Sequence, residues 1–182
     1  MVITNLNVPF DSWDLYFKDL FGEKIAGGCY GDVYQHPLYH DKVVKITRGD
    51  FAYNDFVKFA LRNQDIPFLP KIFERYKFSY RDKYDTYKCS IVVLEKLQQA
   101  EFHEEDESND DLLQAVEQLL GSKIRSPSCV AGAVKLKSLK RDQKRFLNFL
   151  HKAIFKSRHA LDLHGGNVMC RGSELVIIDP LA

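Results

Sequence analysis

The sequence predicts an α+β fold of two lobes, a strand-rich first half followed by a mainly helical second half. Three observations predict it. Residues 24 to 46 are short β-branched and aromatic runs broken by glycines and a turn, residues 51 to 62 switch to helical spacing, and beyond Leu97 apolar residues recur mostly at helical intervals. At 182 residues the chain can form one substantial core, or two small lobes sharing a cleft, but not two ordinary independent domains.

Taken in order, residues 10 to 21 read as a short amphipathic helix capped by Asp11 or Ser12, with Trp13, Leu15, Tyr16, Phe17, Leu20 and Phe21 as its apolar surface. KIAGG, GDVYQH and KVVKI read as three strands, the last two separated by the turn-like PLYHD. FAYNDFVKFALR is a helix, and KIFERYKFSY and KCSIVVLEKL are two further strands joined by the polar RDKYD. Between Glu101 and Asp111 stand seven carboxylates, a pattern usual for a solvated loop or helix entry. Residues 110 to 120 place Leu112, Leu113, Val116, Leu119 and Leu120 on one helical stripe with Gly121 as a stop. SPSCVAG reads as a loop or turn. Residues 138 to 157 form a helix with Leu139, Phe146, Leu147, Phe149, Leu150, Ala153 and Ile154 inward. Lys140, Arg141, Lys144, Arg145, Lys152 and Lys156 occupy its other face, a surface that could meet phosphate but that solvation alone explains. HALDLHGGNVM is a loop and ELVIIDP holds a short strand.

Composition narrows the function classes. Hydrophobic residues at 45% and charged residues at 28% describe a folded chain, not a disordered or collagenous one. With 26 Lys plus Arg against 25 Asp plus Glu, no global field recruits nucleic acid or an anionic membrane, and neither is an expected partner. Cys29, Cys89, Cys129 and Cys170 show no C-x-x-C spacing, which argues for reduced thiols and against a structural zinc site. The segment MVITNLNVPFDSWDLYF has no basic flank followed by an apolar run, so a cytoplasmic location is expected.

Two constellations carry chemistry. Ala26-Gly27-Gly28-Cys29-Tyr30-Gly31-Asp32-Val33 lies between two strands, and its glycines would let backbone N–H groups approach an anion. Val43-Val44-Lys45-Ile46 follows, a lysine on a strand that leaves the sheet on one defined face. Near the other end, Asp162-Leu163-His164-Gly165-Gly166-Asn167 sets a carboxylate and a carboxamide five positions apart, and Asp179 follows the apolar Leu175 to Ile178. Carboxylate and carboxamide oxygens are a hard ligand set suited to Mg²⁺, and the other carboxylate can accept a hydroxyl proton.

In this order the motifs resemble those of eukaryotic-type protein kinases. The resemblance implies a two-lobed protein-kinase-like fold, with a small antiparallel sheet in an N-lobe over residues 1–97 and a reduced, mostly helical C-lobe over 98–182. The glycine motif keeps the second and third glycines, the aromatic tip and the valine, with Ala26 at the first glycine. Gly28, Tyr30, Gly31 and Val33 would then cover ATP, Lys45 would hold its phosphates, and the backbone of Glu95 and Leu97, in a hinge at 94–97, would meet the adenine. Asp162 would be the catalytic base, His164 would sit near the transferred phosphate, and Asn167 and Asp179 would bind Mg²⁺.

More closely, YGDVYQHPLYHDKVVKI, SIVVLEKL, DLHGGNVM and IIDP resemble the early serine/threonine protein kinases of short-tailed coliphages of the autographivirus group. That family acts in the bacterial cytoplasm on host proteins, including transcription and RNA-processing machinery, which implies host proteins and the chain itself as acceptors. Departures are specific. The helix at 51 to 62 offers only Asp55 where the family has a glutamate for the strand lysine, and Leu161 stands in place of the arginine before the catalytic aspartate. Only three residues follow Asp179, so no activation segment or A-P-E is present; the acceptor would be held by residues 98–158, or the chain is a trimmed domain. Two alternatives stay open: a kinase-like protein that binds and inhibits a host factor without catalysis, and, since D-L-H-x-G-N is shared with aminoglycoside phosphotransferases, an enzyme acting on a small molecule.

Overall fold

The computed structural model describes residues 13–81, 86–99 and 110–182. Two compact units divide the chain, residues 1–54 with 71–96 and residues 55–70 with 97–182. The fold is mixed α+β, with a small antiparallel sheet and five α-helices among the described residues.

The first unit is built on a five-stranded sheet of β1 (Lys24–Gly28), β2 (Gly31–Gln35), β3 (Lys42–Arg48), β4 (Ile72–Arg81) and β5 (Thr86–Glu95) in the order β1-β2-β3-β5-β4. Neighbouring strands all run antiparallel. Its inner strands are buried on both faces, which is why KVVKI and SIVVL read as nearly continuous apolar runs. Period-two alternation turns Val44 and Ile46 of β3, with Cys89, Ile91 and Val93 of β5, into one apolar cluster. Helix α1 (Trp13–Phe21) contributes Phe17 to that cluster. On the opposite face Thr47 and Ser90, directly paired across β3 and β5, share a buried hydroxyl–hydroxyl bond of 2.7 Å and so satisfy each other. Helix α2 (Phe51–Arg62) spans the point where the chain passes from the first unit to the second.

The second unit holds α3 (Asp110–Leu120), α4 (Pro127–Ala133), α5 (Arg141–Phe155) and a three-stranded antiparallel sheet of β6 (Gln98–Gln99), β7 (Val168–Arg171) and β8 (Glu174–Ile177). Phe146, Leu147, Leu150 and Ala153 are the buried stripe of α5. Phe149 stacks on Phe59 with centroids 4.3 Å apart, and Phe146 meets Phe68 edge-on at 5.5 Å. Arg145 donates to Asp65 Oδ2 at 2.6 Å and to Asn63, tying α5 to residues 63–70.

Two sequence expectations are corrected. SPSCVAG is not a loop: Ser126 caps α4, its Oγ accepting the Cys129 N–H at 3.3 Å, and Pro127 stands at the first turn, where the missing N–H costs nothing. The segment read as loop to residue 169 already enters β7, which hairpins to β8 around Gly172 at φ +60°. Gln98 and Gln99, which the sequence reading assigned to no element, add a short strand to that sheet. The cap positions Asp11 and Ser12, residues 82–85 of the polar connection, and 101–109 of the acidic run lie outside the described residues. No described helix is long and apolar enough to cross a membrane.

Candidate functional site

The glycine motif is the β1–β2 hairpin, with Gly28 opposite Gly31 and the exposed Tyr30 at its tip. Its glycines have different reasons to be glycine. A Cβ on Gly31 would stand 2.5 Å from the Ile46 carbonyl oxygen, and one on Gly27 would stand 2.6 Å from Lys24 Cε and 2.8 Å from Asp32 Oδ1. Gly31 thus lets β2 lie against β3, and Gly27 makes room for an ion cluster. Asp32, buried, is held by Lys24 at 2.6 Å and Arg48 at 2.8 Å, which pins the hairpin to its neighbouring strand. At Gly28 a Cβ would meet nothing within 4 Å, so this position is open to a group approaching from outside. Sequence reading missed Asp32, since its role depends on strand register, which sets Asp32 opposite both Gly27 and Ile46.

Lys45 sits mid-strand on β3, directly opposite Val33 of β2 and Val92 of β5. Val33 and Lys45 therefore share one face, as the family pattern implies. The ammonium of Lys45 lies 3.7 Å from the centroid of the Tyr53 ring of α2. Asp55, the only carboxylate of α2, bonds to Lys58 at 2.5 Å and His159 at 3.3 Å. At the end of β5, Glu95 receives the Lys71 N–H on Oε1 at 2.8 Å while its own N–H donates to the Lys71 carbonyl at 3.0 Å. The Glu95 pairing rigidifies the residue read as the adenine contact; Leu97, the other, is half-buried and follows the boundary between the units.

The second constellation is knit together by backbone bonds within the second unit. Asp162 N–H donates to the Pro180 carbonyl at 2.9 Å, and Ile178 N–H donates to the Asn167 carbonyl at 2.9 Å. Asp179 is therefore bracketed by residues bonded to the loop's first and last members. Leu161 and Leu181 form an antiparallel bridge, and Ala160 and Ala182 exchange bonds of 2.7 and 3.1 Å beyond it. Inside the loop, Asn167 N–H donates to the His164 carbonyl at 2.9 Å in a 3₁₀ turn over Gly165–Asn167. The Asn167 amide nitrogen donates to the Asp162 carbonyl at 2.8 Å and to its Oδ2 at 3.1 Å, which engages its hydrogens within the loop. Gly166 is glycine because the His164 ring folds over it: a Cβ there would stand 2.9 Å from His164 Cε1. The Gly166 N–H donates to His164 Nδ1 at 3.1 Å, so a neutral ring carries its proton on Nε2, 3.7 Å from Asp162 Oδ1. The Asn167 amide nitrogen, 3.0 Å from Nε2, is then turned to the two Asp162 oxygens.

An amide oxygen from Asn167 and a carboxylate from Asp179, with Asp162 beside them, are hard oxygen donors that fit Mg²⁺, an ion content with one or two carboxylates plus phosphate oxygens and waters. Among the described residues no group of three or more His, Cys, Asp or Glu gathers as a dedicated metal cage. No protein-family model matches the chain, and no curated protein matches it.

Proposed function

We propose that the protein is a phage-type serine/threonine protein kinase, transferring the γ-phosphate of ATP to host cytoplasmic proteins and to itself. The observation that carries this reading is the pair of backbone bonds, Asp162 to Pro180 and Ile178 to Asn167, that sets the backbone of Asp179 between the two ends of the Asp162–Asn167 loop. In this reading Gly28 and Gly31 let the hairpin cover the phosphates, and Val33 and the backbone of Glu95 and Leu97 hold the adenine. The ammonium of Lys45 holds the α- and β-phosphates. Asp162 orients the acceptor hydroxyl and takes its proton as the oxygen attacks phosphorus and the bond to ADP breaks. His164 donates from Nε2 to a γ-phosphate oxygen. Asn167 and Asp179 hold Mg²⁺, which when bound neutralises charge on the phosphates.

Catalysis of this kind is positioning and charge stabilisation, so single ligand losses are severe. Asp162→Ala and Asp179→Ala are expected to lower transfer of labelled γ-phosphate to bacterial lysate proteins by at least about a thousandfold while the fold persists. Undiminished labelling by a folded Asp179→Ala protein would refute the assignment. A folded wild type that labels nothing would favour the non-catalytic binder.

A further inference from the structure

We propose that the solvent face of α5 is a binding surface for single-stranded nucleic acid, a role independent of the phosphoryl-transfer reading. About 100° of rotation per residue turns Phe146, Leu147, Leu150 and Ala153 inward as one buried stripe. The opposite side of the helix then carries Arg141, Lys144, Asn148, Lys152 and Phe155, all exposed, within about 80° of arc and over about 21 Å of length. Lys140 and Lys156, also exposed, flank that stripe on its two edges. The face therefore holds five cations, a carboxamide and a ring, and no carboxylate. Asp142, the one acid of the helix, stands outside it, 3.6 Å from Arg145. A net charge of +1 gives the whole chain no field for a polyanion, but this face supplies one locally.

Solvation alone does not account for the pattern. A helix face that only meets water mixes both signs, since acid–base pairs at i, i+4 stabilise it. Here the ion pairs of the surrounding stretch belong to Arg125 and Arg145, and among the described residues no carboxylate pairs with Lys140, Lys144, Lys152 or Lys156. Lys140 and Arg141 stand at the N-cap and the first position of α5, where the helix dipole disfavours positive charge and a lysine side chain has no acceptor to cap with. Helix stability argues against these cations; a bound polyanion argues for them. The ring decides which polyanion. Phe155, 49% exposed, lies in line with Lys144 and Asn148, its centroid 4.8 Å from that of His151. An aromatic face among cations suits an unstacked base between its phosphates, and a carboxamide suits a base edge. Duplex bases stack on one another and offer no free face. An acidic protein would leave ring and carboxamide unused, and a bilayer would need a broad apolar face where this one has a single ring.

Fluorescence anisotropy with short labelled oligo-U and oligo-dT strands tests this, and the tighter of the two tells RNA from DNA as the source. The wild type is expected to bind with an affinity that falls as salt rises, with a double-logarithmic slope of about −2 to −3 if three or four phosphates are contacted. Lys144→Glu with Lys152→Glu should weaken binding at least about tenfold and flatten that slope. Phe155→Leu should weaken binding about tenfold and leave the slope unchanged. Phe155→Trp should keep the affinity, and its fluorescence should be quenched by the strands beyond any quenching of the wild type, whose one tryptophan is Trp13. That variant decides the matter where Phe155→Leu does not fold. No binding at low salt overturns the proposal, as does equal affinity of the wild type and the double charge variant, or no added quenching in Phe155→Trp. Displacement of the strands by a duplex, by anionic lipid vesicles or by polyglutamate, as effective charge for charge as by an unlabelled strand, overturns it too, in favour of whichever competitor succeeds.

Discussion

Two glycines in one hairpin separate the contribution of a residue to folding from its contribution to a site. A Cβ at Gly31 would collide with the Ile46 carbonyl oxygen at 2.5 Å, and backbone cannot yield as a flexible side chain can. Gly31→Ala is therefore expected to destabilise the protein by about 1–3 kcal/mol in urea unfolding. Gly28, with nothing within 4 Å of its Cβ position, should accept alanine with a change of no more than about 0.5 kcal/mol. If the hairpin covers phosphates as proposed, the same substitution is expected to weaken MgATP binding by keeping phosphate off the backbone. Equal stability losses at both positions would mean that the hairpin packs otherwise than described. The site residues readable in the sequence were those whose chemistry is local: Asp162, His164 and Asn167 lie in one short loop, and their spacing already implies the turn that the Asn167 bonds close. Tyr53 and Asp32 were not readable, because each meets its partner across strands or from a helix face whose orientation only the assembled sheet decides.

At the scale of elements, strong periodicity was legible and short capped pieces were not. The five strands of the first sheet and helices α2, α3 and α5 carry runs of apolar residues at one spacing or the other, whereas α4 is seven residues long and announces itself only through Ser126-Pro127. Contacts between elements, which no single window of sequence contains, have consequences that can be titrated. Asp55 of α2 accepts from Lys58 and from His159, which lies just before the loop of Asp162. Burial pushes the Asp55 carboxyl up, but the hydrogen bonds from Lys58 and His159 outweigh it and hold the group below its ordinary value. A carboxylate depressed in the folded state stabilises fully above its unfolded pKa of about 3.9 and stops doing so as pH falls through the folded value. Asp55→Asn should consequently be less stable than wild type near neutrality, with the gap closing as pH drops below about 4 in a series of urea titrations. A gap independent of pH would show that the carboxylate charge contributes nothing and that only the shape of the side chain matters.

For the molecule as a whole, a net charge of +1 conceals a strong segregation. Residues 121 to 160 contain eleven lysines and arginines against one aspartate, while the remainder holds 15 basic residues against 24 acidic ones. Lys140, Lys144, Lys152 and Lys156 are exposed and form two i, i+4 pairs on α5, a ridge about 24 Å long that winds around the helix. Charges on one ridge add at a facing surface, while those elsewhere are screened beyond a Debye length of about 8–10 Å at moderate salt. Average charge is thus the wrong guide to how the protein meets a polyanionic surface. Above its sequence pI of about 7.7 the chain is net negative, yet it is expected to be retained on a cation-exchange resin and to elute with salt. Lys140→Glu with Lys144→Glu, which reverses the N-terminal end of the ridge, should move elution to distinctly lower salt. The same double charge reversal made outside residues 121 to 160 should move it much less, since acidic residues already outnumber basic ones there. If both pairs shift elution equally, the segregation written in the chain does not survive as a face of the folded protein, and the basic residues are ordinary solvating surface.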